Sequence, residues 1–211
     1  FSVNCIGGVL KDMDSGMLVQ ISRTVDEIER ELRPVADTFL RDVTVGSRLN
    51  GLGVLSAEDA KGMGAVGPML RASGVPYDSR LTGYAAYGDL SVEPITATAG
   101  DSMARCEVRI REIYQSFRLI REAIAKIPQG DIAVPVKGNP NGECFMRIEQ
   151  PRGEAIYYVK ANGTKFLDRF RLRTPTTSNI PPMLDLLRGC QLADVALLIL
   201  TIDPCISCTE R

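Results

Sequence analysis

Two thiols sit three residues apart near the end of the chain, in Asp203-Pro204-Cys205-Ile206-Ser207-Cys208-Thr209-Glu210-Arg211. A short turn lets both sulfurs face one metal ion, and thiolates are soft ligands that select nickel, iron, copper(I), zinc or iron–sulfur clusters. The same spacing also serves a redox pair, half of a zinc site, or two ordinary buried cysteines. The apolar run from Val195 to Ile202 stops abruptly at Asp203-Pro204 and delivers this turn.

The chain has no histidine. His-dependent triads, His-based zinc catalysis and imidazole general bases are therefore excluded, and any metal must be held by Cys, Asp or Glu. With a net charge of −1 and 6% aromatic residues, nothing in the composition points to nucleic acid. No apolar run is long enough to span a membrane. No secretory leader opens the sequence, so the six cysteines are expected in a reducing compartment. The start at Phe1 is expected to mark a processed chain or a piece of a longer one.

Two further stretches in the last third carry polar groups at turns: Glu149-Gln150-Pro151-Arg152-Gly153-Glu154 and Pro175-Thr176-Thr177-Ser178-Asn179. Taken singly, the first is a turn with a charged side chain and the second a helix cap. Gly62-Met63-Gly64-Ala65-Val66-Gly67 has the Gly-x-Gly-x-x-Gly spacing, but dinucleotide binding needs a strand before it and a helix opening on it. Here a capped polar segment precedes it and Pro68 follows, so the glycines read as close backbone packing or a sharp turn.

The elements that must position these groups are mainly helical. Apolar residues at 21, 25, 28, 32, 35 and 39 predict a helix capped by Asp14 or Ser15, with a kink or break at Pro34. Ser56 with Asp59 resembles a capping box. Residues 71–89 show little periodicity and read as a polar, aromatic surface loop. Met103, Cys106, Ile110, Ile113, Phe117, Ile120, Ile124 and Ile127 alternate spacings of three and four, a bundle-type seam capped by Asp101 and stopped by Pro128. Cys106 in that stripe reads as a core thiol. Segments 144–148, 155–160 and 166–172 predict antiparallel strands with a hairpin turn at 161–164. A helix from Met183 to about Arg188 and another near 191–197 complete the chain. The expected fold is α+β, mainly α: a long-helix bundle region over 1–130, then a small antiparallel β-sheet with the terminal ligand segment over 131–211.

Taken together and in this order, the Pro-Arg-Gly, Pro-Thr-Thr and Cys-x-x-Cys stretches resemble the carboxyl-terminal part of nickel–iron hydrogenase large subunits. The similarity is to the membrane-bound, energy-converting (Ech-like) branch. It extends over the whole chain, through Gly67-Pro68, Arg71-Ala72-Ser73-Gly74 and Asp78, and through Arg105, Arg109, Glu112 and Ser116. Those residues look equally like the quinone-site large subunit of respiratory NADH:quinone oxidoreductase, which lacks the terminal cysteine pair.

The resemblance implies that Cys205 is a terminal thiolate on nickel and Cys208 a thiolate bridging nickel and iron. It implies Arg152 over the open metal position, oriented by Asp203. Thr176, presented by a turn at Pro175, would donate with Arg152 to the cyanide ligands of an iron that also carries CO. An iron–sulfur small subunit would hold the electron-accepting cluster, beside membrane subunits on the inner face of the cell membrane. The family's first Cys-x-x-Cys and its acidic proton-transfer residue are absent, since Cys5, Cys106, Cys144 and Cys190 show no such spacing. The remaining N-terminal part of the large subunit is expected to supply them. A different class is also open: an electron-transfer or coupling scaffold related to the quinone-site subunit, without hydrogenase activity. So is a structural fragment that holds no metal.

Overall fold

The computed structural model describes residues 3–210, so Phe1, Ser2 and Arg211 of the segments above lie outside the described residues. A two-residue hairpin, β1 (Asn4–Cys5) with β2 (Gly8–Val9), leads into the long helix α1 (Ser15–Arg41). Asp14 caps α1 by accepting from the Met17 amide at 2.8 Å. The helix runs unbroken through Pro34 instead of stopping there, and the Thr38 hydroxyl donates to the Pro34 carbonyl at 2.8 Å. Its inward stripe includes Val25 and Ala36, whereas Ile28 and Val35 of the predicted stripe are exposed.

Helix α2 (Val43–Leu49) follows, capped by Asp42, and then α3 (Ala57–Gly62). At α3 the Ser56 hydroxyl accepts from the Asp59 amide at 3.0 Å and donates to its carboxylate at 2.6 Å. The short helix α4 (Pro68–Arg71) starts at Gly67 with Pro68 in its first position. Single 3₁₀ turns at Ser79–Thr82 and Tyr87–Asp89 lead towards α5 (Ser102–Lys126), where the Asp101 carboxylate accepts from the Ala104 amide at 2.8 Å. Helix α5 packs on α1, α2, α4 and the apolar helix over Val195–Ile202, so it is the axis of the molecule.

The face α5 turns inward differs from its apolar stripe. Ala104, Arg105, Val108, Gln115, Phe117 and Leu119 are buried, while Ile113, Ile120 and Ile127 remain a third or more exposed. The physical reason is that Arg105, Arg109 and Glu112 find buried polar partners on the other side, as described below.

Strands β3 (Asn141–Gln150), β4 (Gly153–Asn162) and β5 (Leu167–Arg173) form one antiparallel sheet in that order. The β3–β4 turn is Pro151-Arg152, closed by Gln150 opposite Gly153. Helix α6 (Pro175–Leu186) begins eight residues earlier than the sequence predicts. Thr174 caps it and Pro175 takes its first position, which removes an amide that would have no partner. Helix α7 (Val195–Ile202) runs to the end of the apolar segment, and α8 (Ile206–Thr209) holds the second cysteine. The chain is thus α+β and mainly α. The main apolar core joins Leu55, Ala60, Ala65, Met69, Leu70 and Ile202, directly beneath the terminal turn.

Candidate functional site

The terminal turn is built by closing α7 in an unusual way. Asp203 adopts a left-handed conformation (φ +60°), and its amide donates back to Ile199 and Leu200. This position normally favours glycine or asparagine, so the side chain is retained at some backbone cost. Arg109 donates to the carbonyls of Thr201 (2.7 Å) and Ile202 (3.0 Å), placing a cation at the carbonyl end of the helix. Arg105, fully buried, donates to the Gly53 and Gly100 carbonyls and to Ser102 Oγ at 2.9–3.0 Å. Burial pulls its guanidinium down to about 10.

Arg152 reaches the same point from the sheet. Its Nε donates to the Asp203 carbonyl at 2.9 Å, and its guanidinium meets the Asp203 carboxylate at 3.2 Å. The Pro-Arg-Gly turn is seated by Gly67, the last glycine of the Gly-x-Gly-x-x-Gly stretch. Gly67 has φ +65°, and a Cβ there would collide with the Arg152 carbonyl; Gly153 (φ +129°) backs onto Val66 and Gly67. Asn179 pins this contact by accepting from the Val66 amide (2.9 Å) and donating to the Val66 carbonyl (3.2 Å). The glycine spacing is therefore backbone packing under Arg152.

Helix α6 supplies the other wall. Thr176 Oγ1 accepts from the Cys205 amide at 3.1 Å, and Thr174 Oγ1 donates to the Cys208 carbonyl at 2.7 Å. Thr176 thus stands in the first helical turn, behind Pro175, rather than in a free loop. Arg152, Pro175, Thr176, Asp203, Cys205 and Cys208 come together although they span 57 residues from first to last. The Cys205 thiol lies 3.2 Å from the Ser207 hydroxyl. Hydrogen bonds from Ser207, from the Cys208 amide and from the Cys208 thiol, with the Arg152 charge beyond, lower Cys205 to about 7. Burial and the neighbouring Cys205 push Cys208 the other way.

The surface-loop reading of 71–89 holds for the largely exposed stretch 81–89 and fails for 71–80: Arg71 is 1% exposed, and Asp78 and Ser79 are buried with it. Arg71 donates to Glu112 (2.7 Å), to Glu149 (2.9 Å) and to the Tyr77 carbonyl (3.0 Å). Arg80 grips Asp78 through two nitrogens at 2.9 and 2.6 Å. Three carboxylates, Asp78, Glu112 and Glu149, share two guanidiniums here. Burial pushes Glu112 and Glu149 up. Burial acts on Asp78 in the same sense, but Arg80 and Arg71 together outweigh it and hold that carboxyl below its ordinary value. A cavity of about 360 Å³ lies between this cluster, Arg109 and Asp203. In the sequence, Arg71, Asp78, Arg109 and Glu112 stood out only through the family resemblance; their spacing alone does not say that they converge.

The donor chemistry at the turn suits a thiolate-held metal group, with two soft ligands and a fixed guanidinium beside them. Two thiols alone are fewer donors than the four of a closed thiolate site. Among the described residues no group of three or more His, Cys, Asp or Glu side chains could hold a metal ion.

The family described as respiratory-chain NADH dehydrogenase, 49 kDa subunit, matches residues 1–140 and 133–211. The chain belongs to that family. It is 38% identical over 209 residues to the carbon monoxide-induced hydrogenase of Rhodospirillum rubrum, covering 98% of this chain and 58% of that protein. It is 35% identical over 231 residues to the membrane-bound hydrogenase subunit alpha of Pyrococcus furiosus, covering all of this chain and 54% of the relative. An NADH-quinone oxidoreductase component of Chloroherpeton thalassium is 31% identical over 228 residues, with 94% of this chain and 52% of the relative covered. A chain in the structure of the membrane-bound sulfane sulfur reductase, an archaeal respiratory membrane complex, superposes with a TM-score of 0.90 at 29% identity. That match covers 97% of this chain and 58% of the other. The chain spans a little over half the length of these 49 kDa-family relatives. Both the hydrogenase and the quinone-oxidoreductase branches of the family are thus among its relatives.

Proposed function

We propose that this chain is the C-terminal portion of the catalytic large subunit of a membrane-bound, energy-converting nickel–iron hydrogenase. The observation that carries the reading is the terminal turn itself. Two thiols lie three residues apart, roofed by an arginine that Asp203 holds at 2.9–3.2 Å. Cys205 and Cys208 would be the two residues of this chain that hold a nickel–iron centre. Such a centre, when bound, would supply the Lewis acidity for splitting H2 into protons and electrons.

The protein's part is positional. Asp203 fixes the Arg152 guanidinium, a planar fork with donors left over for a ligand above the cysteines. Thr176 accepts from the Cys205 amide and turns its own hydroxyl to the Cys208 sulfur, so it ties both cysteines to the start of α6. The hydrogen bonds that lower Cys205 favour its thiolate, the form that binds a metal. The first cysteine pair and the acidic proton-transfer group would come from the remaining N-terminal part of the large subunit. Electrons would pass to an iron–sulfur small subunit, and membrane subunits would hold the assembly on the inner face of the membrane. No helix among the described residues is long and apolar enough to cross a membrane, which fits a peripheral subunit.

Nickel and iron analysis of the native complex, with H2-dependent viologen reduction, tests the reading. Stoichiometric nickel that is lost in Cys205→Ser and Cys208→Ser is expected. Cysteine variants with full H2 activity would overturn it.

One observation favours a second reading. The Arg71–Glu112–Glu149 cluster and its cavity reach Asp203 without using either cysteine. A coupling subunit related to the quinone-site branch would need that charged interior and no nickel. A nickel-free native complex that still transfers electrons to a quinone would establish it.

A further inference from the structure

The sheet carries a feature that the terminal turn does not use. Side chains alternate along strands, so the observed register assigns each residue of β3–β5 to a face. One face presents Arg147, Lys160, Arg169, Arg171 and Arg173, with Phe145 and Tyr158 between them. Lys160 stands directly opposite Arg169, and Arg171 lies two residues further along the same strand. Like charges facing each other across a strand pair destabilise a sheet. The carboxylate nearest in register, Glu143 opposite Lys160, accepts from the Tyr158 hydroxyl at 2.5 Å. Arg173 meets Glu154 at 3.8 Å, but Lys160, Arg169 and Arg171 have no ion-pair partner among the described residues. All three are exposed.

The other face is apolar and only partly covered: Ala155 is buried, Tyr157, Val159 and Leu172 are half-buried, and Met146 and Phe170 are exposed. Met146, Tyr157, Val159, Phe170 and Leu172 share it, with Phe170 51% exposed against Phe145 at 55% on the cationic side. A three-stranded sheet needs its apolar face covered to be stable. A flat bilayer surface can cover one side of such a blade, whereas a cleft in a protein assembly covers both.

We propose that the β3–β5 sheet is a docking blade whose Lys160–Arg169–Arg171 face seats against a carboxylate-rich face of a neighbouring protein subunit. The partner's carboxylates would relieve the Lys160–Arg169 cross-strand repulsion, and aromatic Phe145 and Tyr158 would be buried between the charges. The inference needs only that the chain works inside an assembly. It does not depend on the nickel–iron reading.

The test uses the native complex carrying Arg169→Glu/Arg171→Glu or Arg169→Gln/Arg171→Gln. Subunit composition is read by native mass spectrometry across a salt series. The Glu variant is expected to lose one co-purifying subunit at physiological salt. The Gln variant is expected to weaken its retention at least tenfold while the chain itself melts no earlier than wild type, since the repulsion is gone. Opposite effects on association and on melting separate docking from simple misfolding, so the Gln variant decides if the Glu variant does not fold. Nickel bound per chain should not change in the Gln variant, which keeps this outcome distinct from failure of the hydrogenase reading. Full subunit retention in the Gln variant overturns the proposal. So does retained composition with loss of binding to phosphatidylglycerol vesicles, which would assign the face to lipid.

Discussion

The two halves of α5 bury opposite things. In the first half Arg105 is fully buried, Arg109 closes the α7 carbonyls, and Glu112 reaches Arg71 at 2.7 Å. In the second half Ile113, Ile120 and Ile127 are left partly open, and contact with α1 leans on surface pairs such as Arg121 with Asp26 and Glu29 at 2.6–2.7 Å. Buried charge is a costly way to gain stability but a directional way to hold backbone in place. Arg105 and Arg109 fix particular carbonyls that support the terminal turn, while Arg111 stays at the surface with Glu107. The second half holds by area, which is non-directional and tolerates an imperfect seam. The difference teaches that this molecule uses its charged burial for placement, near Asp203, and its apolar burial for adhesion, away from it.

The comparison breaks most sharply at Arg71. Removing that guanidinium leaves Glu112 and Glu149 buried without their shared partner, and breaking a buried ion pair in this one-sided way costs about 3–5 kcal/mol. Arg71→Met is therefore expected to lower the urea midpoint more than any single change in the second half of α5. A loss under about 1 kcal/mol would mean that the cluster is wet and that the contrast is false.

Next in size come the two seam residues. Phe117 is 7% exposed, so Phe117→Ala should cost about 3 kcal/mol, at the lower end for a buried phenylalanine. Ile113 is 39% exposed and borders the polar cavity, so Ile113→Ala should cost no more than about 1 kcal/mol. Equal losses would show that the seam is closed along its whole length.

This pair also shows what was legible in the sequence. The three–four spacing identified α5 and its Asp101 cap, because local periodicity and capping are written in neighbouring residues. It misjudged which side is buried, because Arg105, Arg109 and Glu112 look like a solvated face until their partners at Gly53, Thr201 and Arg71 arrive from 41 to 92 residues away. The capping box at Ser56, the strands and the hairpin were legible for the same local reason. The reading of 71–89 as a surface loop was right for 81–89 and failed for 71–80, because an aperiodic segment reads alike whether it is solvated or locked by buried ion pairs. Helix α6 began early because Thr174-Pro175 is a helix start, whereas Pro181-Pro182 drew the predicted boundary past it. At the terminal turn, the residue types suggested metal chemistry, but only the fold brings Thr176 to the Cys205 amide and Gly67 beneath Arg152.

The smallest effect is one of pH, and the two halves of α5 should differ in its sign. In the second half, Glu122 is held by Lys126 at 2.7 Å and by the Ser91 amide at 3.0 Å, which lowers it from 4.5 to about 2. A lowered carboxyl stabilises the fold above its unfolded value, and that contribution is lost as pH falls from about 4.5 to about 2. Glu112, in the first half, is pushed up by burial although Arg71 opposes the shift. Its contribution runs the other way: full below its unfolded value and lost as pH rises through its folded one. Stability against pH, measured by urea midpoints, should therefore show a flatter acid limb in Glu122→Gln. In Glu112→Gln the acid limb should be unchanged and the decline above pH 4.5 flatter, with the Arg71 hydrogen bond kept by the amide. If both variants flatten the same limb, Glu112 is governed by Arg71 rather than by burial, and the first half of the helix is more like the second than its geometry indicates.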